Sequence, residues 1–477
     1  MRPKRLNYEI NSRSTAVAFS CRASVALKRR SQIALFVLGF AIFFLSPIME
    51  VDADPKYSML VSESIIKHGT PAINHAAIPG LDESTLPAHP NLKIGSTFYQ
   101  LGKINGKVEY LYPHGSSLLS LPFIALLNAA GLSALDAKGN YSHTGEIWLQ
   151  KIVSSFLMAI TSCLLFESAC MLLPWSWSLG ITVGAAFGTQ IWSTATRALW
   201  SLTWEVFLAA CLVLILLKRE EQQPSRWRAP VLATLASWMY FIRPDGAITV
   251  LALSALMLFR YGDEFLIYTA TGLAWLCAFL IYSWVNFVPL LPDYYRQGTA
   301  LHLHGWVVGF AGCLISPSRG LFIFVPSILI VIYISAHHWN SLPAWPLALL
   351  AAGIICTKLC MVAAWPVWWG GFSYGPRLLT DLVPWFVLLA ILGFRAHLDD
   401  LAKIPGDRRR SIKSRTVSAT ALLLTVFSIA INGYGALSVQ PQLWNWRMGV
   451  DVHPDRLWDW RSPQFLAGIR RSTRSDR

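Results

Sequence analysis

The chain has 477 residues, of which 54% are hydrophobic and only 14% are charged, and its formal net charge is +14. Apolar runs long enough to cross a hydrocarbon core of about 30 Å recur along it, which indicates a polytopic membrane protein and excludes an ordinary soluble globular class. The Lys and Arg clusters lie between these runs, so membrane orientation explains the positive charge better than nucleic-acid binding does. We therefore expect membrane lipids as partners and no nucleic acid.

The N-terminal segment combines a basic stretch, residues 1–30, with an apolar run at 31–49. This run is too long for the apolar region of a typical signal peptide and lacks a convincing small-residue cleavage site, which predicts an uncleaved signal anchor. Three parts follow along the chain. They are a cytoplasmic N-terminus at 1–30, a transmembrane domain at 31–433 with an outer loop at 50–115, and an extracytoplasmic tail at 434–477.

The predicted fold is an all-α bundle of about eleven transmembrane helices. The positive-inside rule and the length that a crossing helix needs together place these helices. They lie at 31–49, 147–172, 177–194, 199–217, 228–243, 244–260, 264–288, 320–337, 343–363, 378–395 and 414–433.

One further apolar segment, residues 116–132, conflicts with this topology if it crosses the membrane. The basic stretch 218–228 would then fall outside, against the charge rule. We therefore predict a re-entrant or interfacial segment, although two short merged spans elsewhere would also restore the parity.

The first outer loop begins with "MEVDADPKYSMLVSES", residues 49–64, which carries two aspartates directly after an apolar run. A short amphipathic helix is predicted here, with an apolar face formed by Tyr57, Leu60, Val61 and Ile65. Asp54 precedes Pro55 at its start, a favoured position for a helix cap. The residues alone leave two interpretations open: Asp54 caps an interfacial helix, or it carries chemistry at the membrane surface.

Charged residues near the outer ends of the spans need a physical reason, because an Asp or Arg at mid-membrane costs on the order of 2.5–3.5 kcal/mol. They must meet water, a partner or a ligand. Arg197 with Glu205, and Arg243 with Asp245, are candidate ion pairs, and ligand binding is the alternative. Arg377 ends the Gly-rich stretch "GGFSYGPR", and its fork-shaped guanidinium suits a phosphate.

Six stretches, taken in their order along the chain, carry a resemblance to a known superfamily. They are "DPKY" (54–57), "HGT" (68–70), "YLYPHGSSLLSLP" (110–122), "GTQIWSTATRALWS" (188–201), "FIRP" (241–244) and "WWGGFSYGPRLLTDLVP" (368–384). Over about residues 31–395 the chain resembles the GT-C superfamily of integral-membrane glycosyltransferases. Within it the chain is most similar to bacterial proteins of the protein O-mannosyltransferase, aminoarabinose transferase and rhizobial core-sugar transferase families.

The resemblance implies a reaction at the extracytoplasmic face of the inner (plasma) membrane. Such enzymes move a sugar from a polyprenyl-phosphate donor to an acceptor hydroxyl of a glycan, lipid or protein, commonly with inversion. The family's acidic first-loop position matches Asp54, which would act as the general base. Many relatives carry two adjacent acids there, whereas Ala53 separates Asp52 from Asp54 here, so both aspartates stay catalytic candidates.

The implied chemistry asks for a carboxylate and for cations. A general base is typically worth about 10²–10⁴-fold for a hydroxyl nucleophile. The phosphate leaving group needs only neutralisation of its developing charge. Arg377 is the first candidate for this contact, and the full set of candidate substrate-binding residues is Lys56, Tyr57, Tyr112, His114, Arg197, Arg243, Arg319, Trp369, Tyr374 and Arg377.

No cofactor is expected. His302 and His304 have a spacing that suits a metal pair, but no third clustered ligand accompanies them, so a divalent metal is not supported. Two other functional classes remain open: a lipid-linked glycan polymerase or flippase, and a non-catalytic membrane scaffold. The scaffold reading expects Asp54 to cap its helix rather than to line a cavity.

Overall fold

The computed structural model describes residues 25–87, 98–221, 225, 227–287, 289–297, 305–404 and 407–469. Helices dominate these ranges. In the first half of the chain they are α1 (Val25–Leu45), α2 (Ser58–His68), α3 (Gly115–Ala129), α4 (His143–Leu172), α5 (Trp175–Phe187), α6 (Ser201–Glu221), α7 (Arg228–Ile242) and α8 (Ala247–Arg260). In the second half they are α9 (Gly262–Phe287), α10 (Asp293–Gln297), α11 (Trp306–Ile315), α12 (Leu321–Phe324), α13 (Ser327–His337), α14 (Trp345–Ala363), α15 (Val383–Lys403), α16 (Asp407–Leu437) and α17 (Gln440–Arg447).

Within the described ranges, six helical segments are long and apolar enough to cross a membrane. They are α4, α6, α9, α14, the segment Arg377–Lys403 that contains α15, and Ile412–Leu437 of α16. The chain is therefore an all-α, multi-pass membrane protein, as predicted. Helices α5, α7 and α8 coincide with further predicted spans but have only 13, 15 and 14 residues. The total of eleven crossings stays a prediction.

The buried centre of the bundle lies around α4, α6 and α15. Helix α4 packs against α1 and α6, and α15 contacts α13, α14 and α6. Most of α15 is buried, whereas α9 and α16 keep most of their surface exposed. Exposed apolar helices of this kind suit the lipid-facing side of a membrane bundle, where no hydrophobic penalty applies to them.

One end of the bundle collects the residues on which the predicted site depends. The end of α1 and the starts of α4 and α6 lie there. The guanidinium of Arg197, just before α6, donates to the carbonyl of Phe43 in the last turn of α1. His143, the first residue of α4, lies 3.4 Å from the carboxylate of Asp52. We refer to this end as the Asp54 end.

The ambiguous apolar segment forms α3, which has 15 residues and contains Pro122. Its first turn contacts the start of α2 through the Ser117 hydroxyl, which donates to the Ser58 carbonyl at 2.8 Å. Just after its end, Ser133 donates to the Glu63 carboxylate of α2 at 2.7 Å. A crossing helix needs about 20 residues, and α3 instead runs beside a helix of 11 residues, which favours the non-crossing interpretation.

Helix α2 corrects two expectations about the first outer loop. It begins at Ser58, not after Asp54, and Tyr57 precedes it at a φ of 73° without a capping side chain. The N–H of Met59 donates instead to the Glu146 carboxylate of α4 at 3.0 Å. The predicted short helix is present, but all residues from 58 to 64 are buried, so its polar side chains Ser58, Ser62 and Glu63 are enclosed by protein, and the interpretation of Asp54 as its cap is wrong.

A β-hairpin in the same loop was not predicted. Strands β1 (Leu101–Ile104) and β2 (Lys107–Tyr110) pair antiparallel around a turn in which Asn105 and Gly106 have φ values of 51° and 77°. An Asn-Gly pair at positive φ is the preferred two-residue hairpin turn, so this signal was present in the sequence. The hairpin places the flanking residues Tyr99 and Tyr112 beside Asp54.

Candidate functional site

The carboxylate of Asp54 is the meeting point of distant segments. Its Oδ2 accepts a hydrogen bond from Arg377 Nη1 at 2.9 Å, across 323 positions of sequence. Its Oδ1 accepts from the phenol of Tyr112 at 3.0 Å and from that of Tyr99 at 3.4 Å. The Asp54 side chain keeps 34% of its surface exposed, so this carboxylate is bound at one side and open at the other.

Two tyrosines hold the loop of Asp54 in place. Tyr110 donates to the backbone carbonyl of Asp54 at 2.5 Å, which anchors the residue to strand β2. Burial raises the pKa of Tyr112 well above its ordinary value, and the nearby charge of Asp54 raises it further. Tyr112 therefore stays a neutral phenol at neutral pH and donates a hydrogen bond to the Asp54 carboxylate.

Arg377 begins the 3₁₀ turn Arg377–Leu382 that leads into α15. Its guanidinium lies 4.2 Å from the ring centre of Trp200, a cation–π contact. Among the described residues it makes one hydrogen bond, to Asp54, and its buried Nε has no partner. The preceding Gly375 has a φ of 63°, and a Cβ there would lie 2.6 Å from Phe324, so only glycine fits this approach.

Asp52 has a different environment from Asp54. It pairs with Lys56 at 3.1 Å and with His143 at 3.4 Å, and its side chain is 65% exposed. The hydrogen bond from His143, and after it the contact with Lys56, lower the pKa of Asp52 to about 2. Lys56 therefore accompanies Asp52 and not Asp54 in this arrangement.

Glu50 is a further acid at the Asp54 end that sequence reasoning did not single out. Its Oε2 is buried without a hydrogen-bond partner in the described chain. Burial raises the pKa of Glu50 to about 7, although the charges of Arg377, Arg197 and Arg319 lower it. A carboxyl group whose pKa is near 7 changes its charge in the physiological pH range.

Arg197 is a structural residue in this arrangement. It donates to the carbonyls of Phe43 at 2.6 Å, Ser46 at 3.1 Å and Ile48 at 3.2 Å, and both its Nε and Nη2 reach the hydroxyl of Thr196. These bonds satisfy the open C-terminal carbonyls of α1. The predicted ion pair with Glu205 is therefore wrong.

Arg243 belongs to a buried ionic cluster. It pairs with Asp245 at 3.0 Å, as predicted, and lies 3.5 Å from Glu205. Lys358 of α14 pairs with Asp245 and, at 2.9 Å, with Asp381. Lys358 was missed, although a lysine inside an apolar helix is a sequence signal for a partner or a function.

Three other predicted binding residues are committed to contacts with the C-terminal part of the chain. Arg319 donates to the carbonyls of Trp369 at 2.9 Å and Gly371 at 3.1 Å and to the side chain of Gln464. The Trp369 indole donates to Asp451 at 2.7 Å. Tyr374 is buried and donates to the carbonyl of Ile431 at 2.7 Å. The tail therefore packs on the loop that precedes Arg377.

Tyr57 and His114 are also enclosed by protein. Tyr57 is buried and packs on Tyr141, with ring centres 4.8 Å apart. His114 Nε2 donates to the Tyr110 carbonyl at 2.9 Å, so its Nδ1 accepts from Tyr282 at 2.8 Å. Burial lowers the pKa of His114 to about 4, which keeps the ring neutral with both nitrogens used.

An aromatic cavity of about 180 Å³ adjoins the site through Tyr112, and Asp54 itself is not part of its lining. Tyr112, whose phenol binds Asp54, forms part of its wall together with His114, Trp238, Phe241, Trp275, Phe279, Tyr282, Phe287, Tyr294 and Tyr295. A larger apolar cavity of about 360 Å³ lies between α5, α13, α15 and α16. None of the predicted site residues lines it, so the smaller cavity is the one connected with the site.

The arrangement brings Asp54, Tyr112 and Arg377 together and leaves Asp52 with Lys56 on the adjacent surface. Sequence reasoning missed Tyr99 and Trp200, which complete the contacts of Asp54 and Arg377. His302 and His304 lie outside the described residues. Within the described residues, no group of three or more His, Cys, Asp or Glu could hold a metal ion.

No family model and no curated protein sequence matches the chain.

Proposed function

We propose that the chain is a glycosyltransferase of the GT-C type that takes a sugar from a polyprenyl-phosphate donor and places it on an acceptor hydroxyl. The acceptor is an envelope glycan, a lipid or a protein. The reaction runs at the extracytoplasmic face of the inner membrane, and the N-terminus lies in the cytoplasm. In this proposal the chain folds as a GT-C-like bundle of about eleven transmembrane helices.

The observation that carries the proposal is the convergence of Asp54 and Arg377. Asp54 does not cap the helix that follows it, and it meets a predicted arginine whose buried Nε has no partner among the described residues. General-base catalysis needs a carboxylate within hydrogen-bond reach of a substrate hydroxyl. Neutralisation of a phosphate leaving group needs a cation with free N–H groups near that base.

In the proposed step, the acceptor oxygen attacks the anomeric carbon of the donor sugar from the side opposite the phosphate. The bond between this carbon and the phosphate oxygen breaks, and its electron pair stays on the polyprenyl phosphate. Asp54 takes the proton of the acceptor hydroxyl, and Arg377 binds the departing phosphate. This geometry inverts the anomeric configuration.

The ion pair between Asp54 and Arg377 gives the donor a role in activating the base. The phosphodiester of the donor carries one negative charge, as a carboxylate does, matches the fork of a guanidinium and gains further charge as the anomeric bond breaks, so a bound donor competes with Asp54 for Arg377. The displaced carboxylate keeps its hydrogen bond from Tyr112 and turns its other oxygen to the acceptor. The neighbouring aromatic cavity has the apolar walls that a lipid chain needs.

The test is transfer by the purified protein from synthetic polyprenyl-phosphate sugars, with wild type and Asp54→Asn compared. We expect the variant to lose about 10²–10⁴-fold in rate, the usual contribution of a general base, while it still folds and binds the donor. Product stereochemistry is read by NMR and should be inverted.

The control is Asp52→Asn, which removes an acid two residues away that pairs with surface groups. Full activity of Asp54→Asn with loss in Asp52→Asn would move the base two residues upstream. Absence of transfer by wild type with every donor would contradict the transferase proposal and favour a polymerase, a flippase or a scaffold.

A further inference from the structure

The strongest feature outside the Asp54 site is the buried ionic cluster of Glu205, Arg243, Asp245, Lys358 and Asp381. Three of its members, Glu205, Lys358 and Asp381, are at most 6% exposed. The cluster joins α6, the start of α8, α14 and the turn before α15. It holds three acids and two bases, so one acid is in excess.

A cluster of this kind is costly in a membrane protein. Removing charged groups from water costs several kcal/mol for each ion, and hydrophobic side chains of similar size often replace a buried ion pair without loss of stability. Stability alone therefore does not account for five charged side chains in one place. Their geometry, in contrast, leads to Arg377 by two routes.

The first route is the turn that carries Arg377. Asp381 lies in the same 3₁₀ turn, Arg377–Leu382, and its carboxylate is held by Lys358 at 2.9 Å. Within that turn the hydroxyl of Thr380 donates to the carbonyl of Arg377 at 2.6 Å. The ion pair with α14 thus holds the turn from its far end.

The second route is the ring on which Arg377 rests. Arg243 Nη1 donates to the hydroxyl of Ser201 at 3.4 Å. Ser201 follows Trp200, whose ring lies under the Arg377 guanidinium at 4.2 Å. The cluster therefore contacts the turn that carries Arg377 and the residue that follows the aromatic support of the same arginine.

We infer that the ion pair of Lys358 with Asp381, at one edge of this cluster, is a positioning device for Arg377: it holds the guanidinium in the orientation that binds the lipid phosphate of the donor. The inference rests on the proposed function. Asp381 and Lys358 touch no substrate in this account and act through Arg377. Misplacement of a binding group by about 1 Å can cost as much as 10²-fold, so a loosened turn has a measurable effect.

Two variants of equal charge separate positioning from general electrostatics. Asp381→Asn removes one acid and balances the cluster at two acids and two bases, so it should fold, but it weakens the link to the Arg377 turn. Glu205→Gln makes the same charge change without removing the ion pair of Lys358 with Asp381, because Glu205 lies 3.5 Å from Arg243 on another element. The measured quantity is the dissociation constant of a synthetic short-chain polyprenyl phosphate in detergent.

We expect Asp381→Asn to weaken this binding about tenfold and Glu205→Gln to change it less than twofold. In an Arg377→Lys background, Asp381→Asn should change the affinity less than twofold, because the fork it positions is gone. Such non-additivity is the sign of residues that act as one unit. Thr380→Val, which removes the hydroxyl bond inside the turn without any charge change, should weaken binding in the same direction.

Each other outcome has a definite meaning. If a folded Asp381→Asn or Thr380→Val protein binds as wild type, or if Asp381→Asn has the same effect in the Arg377→Lys background, the positioning inference is wrong. Equal effects of Asp381→Asn and Glu205→Gln would also overturn it in favour of a charge effect. If Arg377→Lys itself leaves binding unchanged, or wild type binds no polyprenyl phosphate, the proposed function fails first.

Discussion

Arg197 and Arg377 lie at the same end of the bundle, and both were candidate substrate-binding residues. All the N–H groups of Arg197 are taken up by Thr196 and by the carbonyls of Phe43, Ser46 and Ile48. The guanidinium of Arg377 makes one hydrogen bond in the described chain, to Asp54, and otherwise lies against the ring of Trp200. The difference shows that donor accounting, not proximity, identifies the arginine that can accept a ligand.

The largest effect on stability should come from Arg197→Lys. A lysine presents three donors from one point, so several carbonyls at the end of α1 would lose their partners, at about 1–3 kcal/mol for each buried group. We expect the free energy of unfolding to fall by about 2–4 kcal/mol. Thermal unfolding in detergent measures this, and the affinity for polyprenyl phosphate should change less than twofold. A loss of affinity without a loss of stability would contradict the structural role.

Arg377→Lys should show the reverse behaviour. The variant keeps the charge but loses the planar fork, so we expect about 30-fold weaker binding of polyprenyl phosphate, which corresponds to about 2 kcal/mol. Its melting temperature should stay within about 2 °C of wild type, because only one hydrogen bond and a ring contact change. Equal binding by this variant and wild type would place the phosphate elsewhere.

The smallest effect concerns Glu50, whose raised pKa gives a pH dependence with a definite sign. Because the folded pKa of about 7 lies above the ordinary value of 4.5, the folded protein binds the extra proton between these values. Its contribution to stability is present below about pH 4.5 and is lost as the pH rises through about 7.

Glu50→Gln should therefore gain stability relative to wild type between pH 5 and pH 8, by about 2 °C in melting temperature. Melting curves of both proteins across this range provide the measurement. A difference that is constant with pH, or of opposite sign, would show that Glu50 is ionised throughout and paired with an arginine.

The sequence predicted the class of fold because apolar runs report burial in lipid directly. It could not decide how many short helices such as α5 and α8 cross, since their 13 and 14 residues fall below the usual crossing length. The hairpin at Asn105 and Gly106 was missed although its turn signal was present. The fold prediction rested on the long apolar runs, and this hairpin lies in a loop outside them.

The site was predicted unevenly for a physical reason. The loop sequences and the family resemblance identified Asp54, Tyr112 and Arg377 one by one, but their convergence depends on tertiary packing across more than 300 residues. The partner of Arg197 was predicted wrongly because nearby acids are visible in a sequence and open helix carbonyls are not. Glu50 and Trp200 became relevant only through contacts with residues from distant segments.

The central claim is that Asp54 acts as the base and Asp52 does not. The most direct test is the rate of sugar transfer by Asp54→Asn and by Asp52→Asn, measured side by side with the donor saturating. We expect the transfer rate of Asp54→Asn to fall about 10²–10⁴-fold and that of Asp52→Asn to stay within about threefold of wild type. Wild-type transfer by Asp54→Asn would contradict it.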